Sequence, residues 1–358
     1  MDKDLKFLKE LTEMDGISGH EKEVKQYLKN QFSTIVKEEN ISFDGLGSII
    51  AKKVGDLEGP KIMISGHMDE IGMIVTKITD EGFIRFQTIG GWWSQVMLAQ
   101  QFVISTKSGK KILAVMGSKP PHLLNPDDLK IPANIDEMYL DLGVNNKEEV
   151  ESLGVEIGNM IAPKIEFQEL ANPKYLLGKA WDNRVGCAIV VETLRKLSNE
   201  NHPNVVYGVG SVQEEVGLRG AKTSSQMINP DICFALDVGI AKDTPGTDMS
   251  VKMGKGPAIL VYDSALIGHV DLRQFVIQVA KEENIPYQLD YLKRGGTDAG
   301  TAHLAHSGAP AMSLCIATRY IHSHTSILHR DDYENAIKLM VAVIKKLNRE
   351  VVNNITFS

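Results

Sequence analysis

Two adjacent carboxylates, Glu214 and Glu215, follow the β-branched, apolar run Val205-Val206-Tyr207-Gly208-Val209-Gly210-Ser211-Val212-Gln213 and precede Val216-Gly217. Two like charges closing a buried strand are costly unless a cation sits beside them. A metal ion removes that cost, because one carboxylate can ligate while its neighbour handles a proton. Successive side chains of an extended chain point to opposite faces, which suits two different tasks. Acids are also common at solvated strand ends, so the pair alone decides nothing. The same grammar recurs, however. Lys61-Ile62-Met63-Ile64-Ser65 runs into Gly66-His67-Met68-Asp69-Glu70, and Asp231-Ile232-Cys233-Phe234-Ala235-Leu236 runs into Asp237. Ala311-Met312-Ser313-Leu314-Cys315-Ile316-Ala317 is followed by Arg319-Tyr320-Ile321-His322, and Asp182 stands just before a helical stretch beginning near Val185. In α/β sheets, sites assemble outside the carboxyl ends of strands from residues distant in sequence. Imidazole with carboxylate suits zinc, cobalt or manganese and excludes an all-sulfur structural site.

The candidate ligands are His67, Asp182, Glu215, Asp237 and His322. They exceed what one catalytic zinc takes, usually three protein ligands and an open position. Two divalent ions sharing one bridging carboxylate use all of them. Such a pair activates a water and polarises a carbonyl, the means by which amides are cleaved at neutral pH. A carboxylate beside the water then serves as general base. Asp69, two residues after His67, can reach back and fix the imidazole tautomer.

These residues need a sheet to carry them. Asp4 to Met14 has helical spacing, and Ser18-Gly19-His20-Glu21 reads as a capping box for a second helix ending near Phe32. Short strands follow over 48–54 and 61–65. Beyond His67 the texture changes: 72–79 and 83–89 form a hairpin about Asp80-Glu81-Gly82, and further strands cover 102–106, 111–117 and 158–163. The expectation is an α/β domain from residues 1–72 and 164–358, interrupted by a small β-rich domain over 73–163. A final helix spans roughly Asp332 to Val352, with Ile337, Met340, Val341, Ile344 and Leu347 at helical spacing. His67 must therefore return, across the insertion, to the sheet that carries the other ligands.

Bulk properties are those of an ordinary soluble globular protein. The chain has 358 residues, 43% apolar and 24% charged, and a net charge of −7. That balance argues against a nucleic-acid partner. The N-terminal residues lack the apolar core of a signal peptide and no segment is long enough to span a bilayer, so a cytoplasmic protein with no membrane partner is expected. Cys187, Cys233 and Cys315 read as reduced core residues.

Taken in order, several motifs resemble those of the TET (tetrahedral) aminopeptidases, the dinuclear-metal family that includes bacterial glutamyl aminopeptidases and archaeal deblocking aminopeptidases. They are Ser18-Gly19-His20-Glu21, Asp44-Gly45-Leu46-Gly47, Gly66-His67-Met68-Asp69-Glu70-Ile71-Gly72, Gly90-Gly91-Trp92 and Pro120-Pro121-His122, then Ala180-Trp181-Asp182-Asn183-Arg184, Gln213 to Ala221, Gly295-Gly296-Thr297-Asp298-Ala299 and Arg319-Tyr320-Ile321-His322-Ser323. The resemblance runs nearly end to end. It implies a zinc-peptidase-like mixed sheet flanked by helices, with an inserted barrel-like domain for dimerisation and lid formation. It implies that Asp182 bridges two zinc or cobalt ions, that His67 and Asp237 complete one site and Glu215 and His322 the other. Glu214 would be the general base and Asp69 the residue orienting His67. It further implies short peptide substrates, dimers closing into a tetrahedral dodecamer, and a cis peptide at Asp182-Asn183. The chain departs from many relatives after Ser323, where His324-Thr325-Ser326 replaces an expected Glu and makes His324 a rival to His322.

The remaining histidines have structural readings. His202 and His329 are expected at the surface, His303 and His306 on a helix after Gly300, His269 at a helix start, and His20 within the capping segment. His122, after two prolines, is a candidate for steadying the oxyanion, in its own or a neighbouring subunit. Gly296, Thr297 and Asp298 form either a substrate-pocket wall or a tight turn. Trp92-Trp93 anchors the small domain's core or an oligomer contact. Where acidic-specific relatives carry basic residues, this chain has Leu260 and Ala305, which favours neutral or apolar N-terminal residues unless Lys293 or Arg294 substitutes. The alternatives are a glutamyl-specific aminopeptidase, a dinuclear carboxypeptidase or deacylase, and a glycoside hydrolase using paired carboxylates.

Overall fold

The computed structural model describes residues 2–355. Its centre is a mixed sheet whose strands run, side by side, Ile41–Phe43, Ile49–Val54, Val205–Ser211, Lys61–His67, Ile232–Ile240, Ala311–Arg319, Ser326–His329, Tyr175–Gly178 and Gln168–Glu169. Ala258–Asp263, Leu266–Ile267 and Gln288–Tyr291 branch from it. The four strands from Val205–Ser211 to Ala311–Arg319 pair in parallel, so their carboxyl ends lie along one edge. They are apolar almost throughout because both faces are covered. Ile62 and Ile64 enter the large core built with the helices Lys3–Glu13, Trp181–Leu197 and Arg330–Lys346, while Met63 faces a smaller core with Ala299 and Ala302. Cys233 and Ala235 join Met63, and Ile232, Phe234 and Leu236 join Ile62, the alternation expected of a strand.

The helix Trp181–Leu197 is buried along nearly its whole length. It presses so closely on the sheet that a Cβ at Gly66 would lie 2.5 Å from the Cys187 amide nitrogen. Glycine is thus required immediately before His67. The cysteines are buried and unpaired, and the Cys187 thiol donates to the carbonyls of Gly66 and His67.

Residues from 72 to 163 supply a closed antiparallel barrel, in the order Gly72–Ile78, Ile84–Ile89, Tyr139–Asp141, Lys111–Gly117, Gln101–Ser105 and Met160–Pro163. On Lys111–Gly117 the residues Ile112, Ala114 and Met116 point inward while Leu113 and Val115 are exposed. Closure leaves no unpaired edge. Trp92 packs on Phe102 in the barrel core, whereas Trp93 is exposed.

Several local expectations need correction. The last helix is two: Arg330–Lys346 ends as Leu347 leaves helical backbone, and Asn348 caps Arg349–Asn354 by accepting from the Val351 amide. His329 and His202 are buried, not at the surface. The first caps Arg330–Lys346 through the Asp331 amide and packs edge-on against Tyr175; the second pairs with the Asn204 side chain. Ser18 and Glu21 form no capping box, since Glu21 makes no side-chain cap bond to Lys22–Phe32. Among the described residues, no helix is long and apolar enough to cross a membrane.

Candidate metal centre and active site

His67 closes its strand in register with Ser211, the last residue of the neighbouring parallel strand. Beyond Ser211 the chain turns through Gln213, with a left-handed φ of 56°, and delivers Glu214 and Glu215 to the same edge. Asp237 comes from the strand on the other side of His67, and His322 follows the next strand along. Asp182 stands at the start of the helix that crosses beneath them, where the Asp182–Asn183 peptide is cis. The Asn183 amide group is tied to the Leu236 carbonyl.

The side chains meet. His67 Nε2 lies 3.0 Å from Asp182 Oδ1, 3.8 Å from Glu214 Oε2 and 3.9 Å from Asp237 Oδ1. His322 Nε2 lies 3.4 Å from Asp182 Oδ2 and 3.8 Å from Glu215 Oε2. Asp182 therefore offers one oxygen to each imidazole. The ligand atoms of His67, Asp182 and Asp237 fall within 4.8 Å of one another, as do those of Asp182, Glu215 and His322. His324 is elsewhere: its Nε2 meets the Lys164 carbonyl and its ring packs edge-on against Phe102.

The donor set fits a pair of divalent cations. Glu215 Oε1 is buried without a hydrogen-bond partner, although its carboxylate lies beside His322. Burial, joined by the charge of Asp182, pushes Glu215 up to about 8. Burial likewise lifts Glu214 and Asp237 well above the carboxylate range. For Asp182 the burial penalty is outweighed by hydrogen bonds from His322 and His67, which hold it below the usual range. Burial opposes the charging of His322, but Asp182 and Glu215 carry it up to about 10. A cluster that gathers protons to relieve crowded carboxylates is one in which a cation can replace them.

Each imidazole is held from behind. His67 Nδ1 is 3.0 Å from the main-chain carbonyl of Asp69 and 3.5 Å from its Oδ1. His322 Nδ1 is 2.9 Å from the Gly91 carbonyl, in the loop leaving the barrel strand Ile84–Ile89. Both rings thus donate from Nδ1 to these carbonyls, which directs Nε2 at the cluster, where its lone pair would be offered to a bound cation. The expectation that Asp69 orients His67 gains a second part. The peptide carbonyl is the nearer partner, and the carboxylate also accepts from the amides of Glu214 (3.0 Å) and Glu215 (3.2 Å) and from Ser18 Oγ (2.6 Å). A buried ionic brace lies below: Lys179 Nζ is 2.6 Å from Asp15 and 2.9 Å from Glu70, and Arg184 donates to the carbonyls of Met68, Leu11, Met14 and Gly16.

Of the pocket candidates, Gly296 and Thr297 line a cavity of about 100 Å³ that also contains His67, Asp182, Glu214 and Asp237. Asp298 is buried and accepts from Ser211 Oγ, and it is not part of the lining. Leu260 is a correction: it is buried in Ala258–Asp263, paired with Asp290, and does not line the cavity. His122 is exposed on the turn Pro121–Leu123 and is also absent from the lining, so an oxyanion role requires a neighbouring copy. Val238, Ile240, Leu292, Arg294 and Ile321 also form part of the wall, together with His322. Sequence reasoning gave no role to Gly91. Its signal was the Gly90-Gly91 pair, which marks a close backbone approach; a Cβ on Gly91 would lie 3.0 Å from His322 Nδ1.

Comparison with known proteins accounts for this arrangement. A family model described as M42 glutamyl aminopeptidase matches residues 47–339, and one described as AMPT matches residues 2–26. The chain is similar to the putative aminopeptidase FrvX of Escherichia coli (strain K12), 42% identical over 98% of this chain and 97% of the relative. It is similar to the glutamyl aminopeptidase of Lactococcus lactis subsp. cremoris, 39% identical over 97% of this chain and 98% of the relative. A solved TET aminopeptidase from the marine sediment archaeon Thaumarchaeota archaeon SCGC AB-539-E09 superimposes with a TM-score of 0.96, at 41% identity and 99% coverage of both chains. A parallel-sheet edge bearing two carboxylate–imidazole trios, a barrel inserted beside it and relatives matched end to end have one explanation: this chain belongs to the M42 glutamyl aminopeptidase family.

Proposed function

We propose that the chain is a cytoplasmic dinuclear metallo-aminopeptidase that removes N-terminal residues from short peptides. The observation that carries this reading is that two ligand trios share Asp182 while Glu214 stands beside them as a member of neither. His67, Asp182 and Asp237 would hold one ion, and Asp182, Glu215 and His322 the other; zinc or cobalt suits the oxygen and imidazole donors. When bound, the ions supply a water of lowered pKa and a polarised scissile carbonyl. Glu214 takes a proton from the attacking water and returns it to the departing amine. Its burial raises its hold on a proton, which suits a group that must carry one between two partners. With the ions bound, His67 and His322 would be neutral, with Nδ1 donating to fixed carbonyls. Asp69 anchors the amides of both adjacent acids.

Side-chain preference follows from the cavity wall. Val238, Ile240, Leu292 and Ile321 are apolar, and Leu260 and Ala305 are buried away from the lining. We read this as a pocket for neutral, apolar N-terminal residues such as leucine or methionine. Arg294 favours a second reading, because this exposed cation lines the same cavity and suits a glutamyl side chain. Hydrolysis of aminoacyl anilides, with and without a chelator, tests both levels. Activity should vanish on chelation, return with zinc or cobalt, and require a free amine. Leucyl anilide should exceed glutamyl anilide in kcat/KM, and a clear glutamyl preference would transfer the specificity to Arg294.

The barrel, residues 73–163, is proposed as the oligomerisation and lid domain. Leu113, Val115, Trp93, Leu123 and Ile131 are exposed on it or on its excursions, an apolar surface suited to other copies of the chain. Dimers closing into a tetrahedral dodecamer would seat the active sites in an enclosed space and restrict substrates to peptides. Light scattering should give a mass many times that of one chain. A monomer over a broad concentration range would refute the assembly.

A further inference from the structure

The segment Ser18-Gly19-His20-Glu21 has a different employment from helix capping. Glu21 is 6% exposed, and its Oε1 accepts from the Gly19 amide at 2.8 Å and the Gln213 amide at 3.0 Å. The next two amides also meet a carboxylate: Glu214 N donates to Asp69 Oδ1 at 3.0 Å and Glu215 N to Asp69 Oδ2 at 3.2 Å. Three successive amides therefore point at two acids brought from distant parts of the chain. Successive N–H groups turned to one side, with a left-handed residue among them, form a concave nest for anions. Gln213 is that left-handed residue. Ser18 Oγ, bonded to Asp69 Oδ2, ties the second acid to the segment that carries the first.

We propose that Glu21 is a positioning residue for the general base: with Asp69 it fills the amide nest of Gln213, Glu214 and Glu215 and thereby sets the direction of the Glu214 side chain. The inference rests on the reading of Glu214 as general base. Asp69 holds the amides of the two acids themselves. The preceding peptide is held on its carbonyl side, where Val212 accepts from the Gly220 amide at 2.9 Å, and Glu21 holds its N–H side, so all three consecutive amides of the turn are fixed. Metal ligation is separate, because the amide of the ligand Glu215 is held by Asp69 alone.

The test is a double-mutant cycle. Glu21→Ala should lower kcat by roughly 10², the scale of a small misplacement of a reacting group, with KM within about twofold and metal content unchanged. In a Glu214→Gln background the same substitution should change the residual kcat by no more than about twofold, because no base is left to misdirect. Equal fractional losses in both backgrounds would make Glu21 a general brace and overturn the proposal, as would loss of metal. Glu21→Gln, which keeps an acceptor oxygen for both amides, should recover most of the kcat; a well-folded Gln variant as slow as the Ala variant would also overturn it. Should Glu21→Ala fail to fold, Glu21→Asp is one methylene too short to span both amides and should show the same background dependence. A Glu214→Gln enzyme of undiminished kcat would sink the general-base reading itself, a result distinct from those above.

Discussion

Glu214→Gln should retain its metals and lose turnover by about 10² or more, the usual scale for removing a general base. The two adjacent acids have different surroundings. Glu215 shares a trio with Asp182 and His322, while Glu214 lies 3.8 Å from His67 Nε2 and belongs to no trio. The amide that fixes residue 214 is a main-chain group and survives the substitution. Glutamine matches glutamate in shape, so the variant isolates the capacity to take up a proton. Elemental analysis beside steady-state kinetics decides the matter. A Glu214→Gln protein that has shed its metals would mean that the two acids have been given each other's roles.

Asp182→Asn should instead empty the centre, with metal content well below one ion per subunit and activity falling to background. Asp182 presents Oδ1 to His67 and Oδ2 to His322, so it is the one side chain common to both trios. Asparagine keeps one neutral oxygen and replaces the other with an NH2 group, which has no lone pair to offer a cation. Glu215→Gln touches one trio only and should cost about one ion of the two. Full retention of both ions by Asp182→Asn would overturn the bridging role.

The sequence was most informative where side chains depend on strand ends. His67 and Asp237 follow or end apolar runs whose parallel pairing places them on one edge. Glu214, Glu215 and His322 extend beyond two more such runs. Pattern alone does not distinguish His322 from His324, since either could face the cluster; the left-handed φ of 54° at His322 is imposed by tertiary packing. The capping-box reading failed for a related reason. Ser18 and Glu21 have the right spacing for a helix start, but partners nearly two hundred positions away, in the Gln213 turn, compete for Glu21. His202 and His329 were misplaced because polar neighbours in sequence say little about which buried acceptor an imidazole finds. On the barrel strand Lys111–Gly117 the alternation was legible, yet the order in which strands close was not, because pairing partners are set by packing in three dimensions.

The Gly91 carbonyl that receives His322 Nδ1 belongs to the barrel, while His322 itself belongs to the large sheet. This bears on modularity. A chain shortened by splicing Gly72 to Lys164 would keep every candidate metal ligand and all the parallel strands. It would nevertheless lose the acceptor that selects the tautomer of one imidazole, and that ring would be free to turn its other face toward the cluster. The insertion is thus no detachable accessory: an excised barrel would take with it the group that orients one of the two imidazoles of the candidate centre.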